Sequence, residues 1–453
     1  MYIESLGGEL IILRIFFVVG FLIIISITMV GCQMTNHEDA IMNLDSDGPT
    51  QSLKVGVVSY NGHLNHVLGD NIRMFDEEHP DMEIDFLNSK YFLGDMSPWL
   101  MGLEGPGTPP DLVEITYNQM LDMYYHGKIE SFNMNDPDLQ DLVLTAPDGA
   151  IIGLKTRVDP LIVYYDEEVF DRVGLEEPSM DWDWSMLDHA IGTLKAAGHK
   201  VHIMLSPFTL EWATMNRYGG RISDPYDMKF AGYLDSEEAI HAAEWLTWVG
   251  TRREDYDFET PERYPNAMPY VLINGEVALA IDYAHRAGNR DHEYIVQRND
   301  QVKIAPLPGG RDTVNVGLTM GFSIMSSSPN KDAAVRLLRF LTEGRERYVH
   351  DMAMYSMQAM QGPKEIPPDR LTVIIQEIER SVPASFFFSD TSTFGVNFHT
   401  KVRYPLLKDI IDGRPAGDAL AQYAEQLDVF YSTFKEDPNA YGECIKSGRI
   451  ECL

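Results

Sequence analysis

Three cysteines, thirteen histidines and 69 acidic side chains are the groups in this chain of 453 residues from which covalent or metal chemistry could start. Their spacing excludes the commoner forms of that chemistry. The sequence has no G-x-S-x-G to raise a nucleophilic serine, no G-x-x-x-x-G-K-S/T to cradle phosphates, and no H-E-x-x-H or C-x-x-C to hold zinc. The histidines are scattered without ligand spacing, so neither a metal nor a cofactor is expected. The stretch "NLDSDG" at residues 43–48 alternates oxygen-bearing side chains as a calcium loop does, but it lacks the downstream glutamate and reads as solvated chain. Carboxylate pairs abound in so acidic a sequence, so no single pair marks a glycoside-cleaving site. These absences do not exclude an enzyme; they show only that none has left a mark in the sequence.

The cysteines point elsewhere. Cys32 closes an apolar run, residues 10–30, whose only charge is Arg14, and the chain turns polar immediately afterwards in "CQMTNHEDA". Such a run is long enough to span a bilayer or to form the core of an export signal. A single-pass anchor with an incidental cysteine is one reading. The other rests on Met29-Val30-Gly31-Cys32, which resembles the bacterial lipoprotein box, and makes residues 1–31 a signal peptide and Cys32 the acylated residue after cleavage. Either way the bulk of the chain is exported and tethered at the outer face of the membrane. Cys444 and Cys452 flank "IKSGRIE" and could close a small disulfide loop outside the cytoplasm.

The net charge of −33 excludes nucleic acid and anionic lipid surfaces as expected partners, because both are themselves negative. With 44% hydrophobic residues the chain can still bury sizeable cores, and its length suggests more than one domain.

The elements that would position a site follow from periodicity. Residues 32–52 are polar, without a sustained apolar period, and read as a linker. "LKVGVVS" from Leu53 reads as a strand, and Leu64, Val67, Leu68, Ile72 and Phe75 recur at helical steps before His79-Pro80. "MEIDFL" and "PDLVEI" read as the next strands, "IIGLKTRVDPLIVYY" as paired strands, "SMLDHAIGTLKAAG" as a helix and "HIMLS" as a strand. "DSEEAIHAAEWLTWV" is a helix capped by Ser236, "EVALAID" and "VKIAPLP" are strands, and "SPNKDAAVRLLRFLTEG" is a helix between Asn330 and Gly344. Alternation of this kind predicts an α/β protein with mostly parallel sheets covered by helices.

Five ordered blocks carry a resemblance. "NIRMFDEEHPDMEIDF", "PPDLVEITYNQMLDMYYHGKIESFN", "APDGAIIGLKTRVDPLIVYYDEEVFDRVGL" with "MDWDWSMLDHAI", "YVLINGEVALAID", and the long block from "VKIAPLPGG" to "EGRERY" together resemble the extracellular solute-binding proteins of family 1, which feed sugar-importing ABC transporters. The resemblance implies a two-lobed periplasmic-binding-protein-like fold, monomeric, with its ligand cleft between lobes joined by crossing strands. It places lobe I at 53–158 and 319–364, lobe II at 159–318 and 365–431, and a tail at 432–453, with crossings near 158–160, 314–318 and 362–368. It implies an extracellular, lipid-anchored receptor that hands a carbohydrate, an oligosaccharide in particular, to the membrane permease of an ABC importer. A sensory or scaffold protein coupled to a signalling partner, or a carrier of a non-sugar polar solute, is the alternative.

A sugar needs carboxylates and amides for its hydroxyls and flat aromatics for its C–H faces. The loop after the first strand supplies Tyr60 and Asn61, where open α/β sheets present ligands. The resemblance puts contact positions at or beside Thr116, Tyr117 and Asn118, with core packing at a helix start as the alternative for Tyr117. It puts Asp159 at the first crossing, two residues after Arg157, and Phe208 and Trp212 near the cleft, although buried core accounts equally well for either aromatic. At "IDYAHR" the family usually shows a Gly and a Trp where this chain has Asp282, Tyr283 and His285. That departure implies a differently shaped ligand, with Tyr283 as the stacking platform and Asp282 as an acceptor. Trp184, at the helix start, reads as structural, and Phe394 or Phe398 could line the far wall.

Overall fold

The computed structural model describes residues 51–56, 66–87, 110–125, 127–134, 136–203, 207–224, 229–249, 277–285, 302–310, 313–358, 368–384 and 409–436. The first part of the chain supplies β1 (Gln51–Gly56), α1 (His66–Glu78), β2 (Met82–Leu87), β3 (Leu112–Thr116), α2 (Tyr117–Tyr125), β4 (Ile129–Glu130), β5 (Val143–Thr145) and β6 (Ile151–Asp159). The middle supplies β7 (Leu161–Asp166), α3 (Glu167–Val173), α4 (Trp184–Ala196), β8 (Lys200–Ile203), α5 (Pro207–Tyr218), α6 (Glu237–Val249), β9 (Val277–Tyr283) and β10 (Val302–Ala305). There follow β11 (Asn315–Met325), α7 (Lys331–Thr342), α8 (Arg345–Gln358), α9 (Pro368–Glu379), β12 (Ser381–Pro383) and α10 (Ala416–Glu436). Cys32, Cys444, Cys452, Tyr60, Asn61, Phe394 and Phe398 lie outside the described residues.

Local chemistry sets the helix ends. Asp183 caps α4 by accepting a hydrogen bond from the Met186 N–H at 2.9 Å, and Leu187, Ala190, Ile191 and Leu194 recur on its buried face. Asp166 caps α3 in the same way through Val169, and Gly174 ends it at φ 75°, a left-handed conformation that glycine adopts without strain.

The described strands form two sheets. The larger runs β2-β1-β3-β11-β6-β5, with β4 and β12 also on β11, and the smaller runs β10-β7-β9-β8. Both are mixed, which corrects the expectation of mostly parallel pairing. Strand β1 is parallel to β2 and β3, β8 to β9, and β12 to β11. Strand β11, however, is antiparallel to β3, β4 and β6, and the β5–β6, β7–β9 and β7–β10 pairs are antiparallel too. The physical reason is the return of the chain: β11 arrives from the smaller sheet and enters the larger at the edge where β3 and β6 end, so it must run against both. Residues 151–165 are likewise not a pair of neighbouring strands. Strand β6 ends in the larger sheet and β7 opens the smaller one, with Pro160 between them. Proline fixes φ and offers no N–H, and nothing at this point supplies the positive φ of a tight hairpin, so the chain runs straight on.

Period-two alternation divides the strand side chains between two cores. Val113, Ile115, Leu161, Val163 and Ile281 lie in one, beneath α4, α5, α6 and α10, and Leu112, Leu154, Ile162, Tyr164 and Ala280 lie in the other, beneath α1, α7, α8 and α9. Gly321 is required where β11 passes β6: a Cβ there would stand 2.3 Å from the Leu154 carbonyl oxygen.

Buried polar side chains tie the crossing segments together. The Asn315 side chain accepts from Leu161 N at 3.1 Å and donates to Leu161 O at 2.7 Å and to Glu377 at 2.5 Å. Glu377, on α9, also accepts from Leu307 N at 3.1 Å and from the Arg380 guanidinium, which donates onward to the Leu307 and Gly310 carbonyls at 2.9 and 2.6 Å. Burial pushes the Glu377 carboxyl above its usual range, against the opposing pull of Arg380, Asn315 and the Leu307 amide.

Candidate functional site

Strand direction collects most of the candidate residues at one edge of each sheet. Strands β3 and β6 both run antiparallel to β11, so their C-terminal ends, Thr116 and Asp159, lie at the same edge of the larger sheet. In the smaller sheet β8 is parallel to β9, so Tyr283 ends one strand where the neighbouring strand leads on toward α5 and Phe208. The start of β7 joins the two edges, because Leu161 pairs with Tyr283 directly after Pro160. Ligands of α/β sheets gather at such carboxyl ends.

The tightest grouping lies at the crossing. The Phe208 and Tyr283 rings meet edge to face, with centroids 5.5 Å apart at 79°, and the Tyr283 ring lies near-parallel to the His285 imidazole at 5.9 Å and 25°. Tyr164 donates its hydroxyl hydrogen to the Tyr283 carbonyl at 2.8 Å, and the Ala284 N–H donates to Pro160 O at 2.8 Å, which fixes the turn after β9 onto the crossing. Asp159 is fully buried, and its carboxylate accepts from the His285 backbone N–H at 2.9 Å and from the His285 ring at Nδ1. Burial alone would raise the Asp159 carboxyl. The His285 imidazole, the two hydrogen bonds from that residue and the nearby Arg157 outweigh burial and hold it below the usual carboxylate range.

Asp282 and Trp212 stand behind this surface. Asp282 is buried and its carboxylate accepts from the Tyr283 N–H at 2.7 Å. Trp212, one turn along α5 from Phe208, is fully buried against Trp184 at 4.8 Å and Trp245 at 6.2 Å. The Arg217 guanidinium covers the Trp184 and Trp245 rings at 5.3 and 4.9 Å while pairing with Asp188 at 2.7 Å.

On the larger sheet, Thr116, Tyr117 and Asn118 start α2. Thr116 and Gln119 cap one another: the Thr116 N–H and hydroxyl donate to the Gln119 side-chain oxygen at 3.0 and 3.1 Å, and the Gln119 N–H donates back to the Thr116 hydroxyl at 3.3 Å. This is the reciprocal T-x-x-Q cap. Tyr117 is half-buried, its hydroxyl donating to the Thr145 carbonyl at 2.8 Å, and burial raises its phenol above the ordinary value. Asn118 is buried. The crossing thus brings Phe208, Tyr283, Asp282 and Asp159 together, whereas Thr116, Tyr117 and Asn118 stand on the larger sheet with β11 between them and Asp159, and Trp212 is enclosed in the core.

Two residues of this region were not singled out from the sequence. Asn315 carries no local signal. His285 stood only as a departure within "IDYAHR", and its partner Asp159 is 126 residues away. Among the described residues no group of three or more His, Cys, Asp or Glu is placed to hold a metal ion, and no helix is long and apolar enough to cross a membrane.

Two α/β lobes joined by crossing strands, with polar and aromatic side chains collected at the facing strand ends, define a binding protein of the two-lobed periplasmic class. Residues 102–343 match the model of the family described as bacterial extracellular solute-binding protein, and the chain belongs to that family. It is therefore a binding protein and not an enzyme. It is 24% identical over 254 residues, 53% of this chain, to an arabinooligosaccharide-binding protein of Halalkalibacterium halodurans, and the match spans 55% of that relative's length. Among solved structures it resembles the sugar-binding protein MalE of Xanthomonas citri, with a TM-score of 0.60 and 12% identity over 83% of this chain and 96% of that one. It also resembles UgpB of Mycobacterium tuberculosis in complex with glycerophosphocholine, with a TM-score of 0.59 and 15% identity over 85% of this chain and 99% of that one.

Proposed function

We propose that this chain is a lipid-anchored extracellular receptor that captures an oligosaccharide between its lobes and delivers it to the permease of an ABC importer. The observation that carries this reading is the Phe208–Tyr283 aromatic surface beside the buried Asp159–His285 pair at the crossing, which offers faces for sugar C–H groups and polar atoms for hydroxyls within one patch. Family membership supports capture without chemistry, and the name of the Halalkalibacterium relative supports an oligosaccharide as ligand. In this reading residues 53–158 and 319–364 form lobe I, residues 159–318 and 365–431 form lobe II, and the solute favours closure by touching both. Cys32 carries the lipid, the apolar run before it is removed as a signal peptide, and the protein works as a monomer.

The test is a thermal-shift screen of the purified full-length chain in detergent against arabino- and malto-oligosaccharides, glycerophosphocholine and amino acids. A ligand at 100 times its dissociation constant adds about 2.7 kcal/mol, which moves the midpoint of a chain this long by about three degrees. A shift with a saccharide recovered unchanged supports the reading. A shift with glycerophosphocholine alone replaces the sugar with another polar solute, and no shift with any member moves the protein toward a sensory or scaffold role. Metabolic labelling with palmitate, lost in Cys32→Ser, checks the anchor.

A further inference from the structure

We propose that Lys155 is a latch across the hinge: its ammonium, carried by lobe I, grips the Ser381 carbonyl on the short strand that splints the crossing, and so biases the balance between the open and closed arrangements of the lobes. This rests on the lobe assignment of the reading above and involves no contact with solute. Hydrogen bonds divide the crossing region into two sets. On the lobe I side, α8 is sewn to β3 and β6: the Tyr355 hydroxyl donates to Glu114 at 2.9 Å, the Tyr348 hydroxyl to the Lys155 carbonyl at 2.5 Å, and the Val158 N–H to the Ser356 hydroxyl at 3.0 Å. On the lobe II side, the Asn216 side chain of α5 accepts from the Val314 N–H at 3.0 Å and donates to the Val314 carbonyl at 2.9 Å, while Asn315 holds Leu161 and Glu377. Between the two sets lie Asp159 and Pro160 on the outgoing strand and residues 316–318 on the returning one, and the lobes can pivot there.

Strand β12 is laid along the returning segment. Ser381, Val382 and Pro383 pair with Asn315, Val316 and Gly317. This strand moves with lobe II, because the Ser381 hydroxyl donates to the Glu377 carbonyl at 2.6 Å and the Asn315 N–H to the Arg380 carbonyl at 2.9 Å. Lys155 reaches it from the other lobe, Nζ donating to the Ser381 carbonyl at 3.2 Å. Arg345 of α8 also meets Glu379 of α9 at 3.3 Å, but both are well exposed, and such a pair is worth little. Lys155 by contrast is 7% exposed, so its bond is not screened by water. A buried ammonium with a carbonyl as its partner is a poor stabiliser, and its worth lies in the arrangement it selects. The charged and titratable groups around it are Asp141 before β5, Glu114 on β3, Arg157 on its own strand, Tyr348 on α8, and Glu377 and Arg380 at the end of α9. Of these, Asp141 is the one whose charge reaches the ammonium.

The experiment compares the wild-type full-length chain in detergent with Lys155→Met, and with Lys155→Gln should the methionine variant fail to fold. Hydrogen exchange at pH 7 without ligand, read peptide by peptide, is expected to be about tenfold faster in the variant at residues 315–318 and 381–384, the factor for one charge-assisted hydrogen bond. The β3–β11 ladder at residues 320–324 should keep its protection. Relief of a buried charge alone would slow exchange throughout, so local acceleration separates a latch from a structural role. Calorimetry with arabinotriose and maltotriose should give dissociation constants that differ by about fivefold at pH 7, tighter in the variant if the latch holds the lobes apart and weaker if it holds them together. The two proteins should agree within about twofold at pH 9.5, above the value of about 8 at which the wild-type amine loses its charge. Exchange unchanged within about twofold, or affinities that agree at pH 7 or differ equally at both pH values, overturns the latch and leaves the receptor reading standing. A wild type that binds neither trisaccharide overturns the receptor reading, and the exchange result then decides the latch by itself.

Discussion

Replacing Lys155 by Met should alter the way stability responds to alkali. Lys155 lies in β6, is 7% exposed, and donates from Nζ to the Ser381 carbonyl at 3.2 Å. Burial lowers its ammonium to about 8, with Asp141 opposing weakly from a distance, whereas in the unfolded chain it titrates near the ordinary value of 10.5. Because the folded value is the lower one, the unfolded chain binds the extra proton between those two values. Stability therefore rises with pH through this window and is depressed below it. The full displacement corresponds to about 3 kcal/mol, of which about 2 kcal/mol is recovered between pH 7 and pH 9.5. Lys155→Met keeps the bulk of the stem and removes the titrating group, so the variant lacks this component. Urea unfolding of both proteins, followed by tryptophan fluorescence at intervals from pH 7 to 9.5, gives the wild-type-minus-variant stability. It should move by about 2 kcal/mol in favour of the wild type, with tyrosine titration cancelling between the two. A difference that stays flat, or that falls with rising pH, would refute the claim that burial dominates the environment of Lys155.

Other perturbations address the crossing. Asn315→Ala removes three hydrogen bonds from a fully buried position and leaves both polar groups of Leu161 and one oxygen of Glu377 short of a partner. It should cost about 3 kcal/mol in denaturant unfolding, and a loss below about 1 kcal/mol would mean that the clamp is dispensable. Gly321→Ala drives a methyl group against the Leu154 carbonyl oxygen at 2.3 Å, so the β11–β6 pairing should fail and the variant should be recovered aggregated. Soluble protein with a wild-type melting midpoint would contradict this. Asp159→Asn should destabilise at neutral pH and cease to matter in acid. The carboxyl is held low in the folded state, so its contribution is present above the ordinary carboxylate value of about 3.9 and is lost as pH falls through the folded one. Acid titrations of wild type and variant should therefore converge only once the pH has fallen below the depressed range of the folded carboxyl.

Local elements were the legible part of this sequence. The helix at 184–196 could be placed because its apolar positions keep a helical spacing, and Gly344 marked the end of α7. What could not be read was the pairing of elements. Alternation of strand and helix suggests parallel sheets, but a strand returning from the other lobe reverses the direction at the centre of the larger sheet, and no local pattern announces that reversal. The first crossing illustrates the same limit, since "IIGLKTRVDPLIVYY" has the composition of a hairpin and only its resemblance to a family separated its two strands. In the candidate site, the family resemblance singled out Asp159, at the expected crossing, and Tyr283, as a departure from the usual residues at that position. The Asp159–His285 bond joins residues too far apart in the chain for spacing to suggest, and the enclosure of Trp212 depends on Trp184 and Trp245 arriving from two other helices.

The late position of β11 has a consequence for the order in which the protein can assemble. A chain that emerges amino end first presents β3 and β6 long before the strand that belongs between them, and Asn315 reaches its partner Leu161 across 154 residues of intervening chain. Until then two strand edges of the first lobe stand unpaired, and unpaired edges recruit other strands. The smaller sheet, built from the contiguous stretch between β7 and β10, has no such gap. The smaller sheet can thus be paired while the larger is still waiting, and α9 and α10, which follow β11 in the chain, remain to cover it and its helices. The chain would be most vulnerable to aggregation in the interval before β11 arrives.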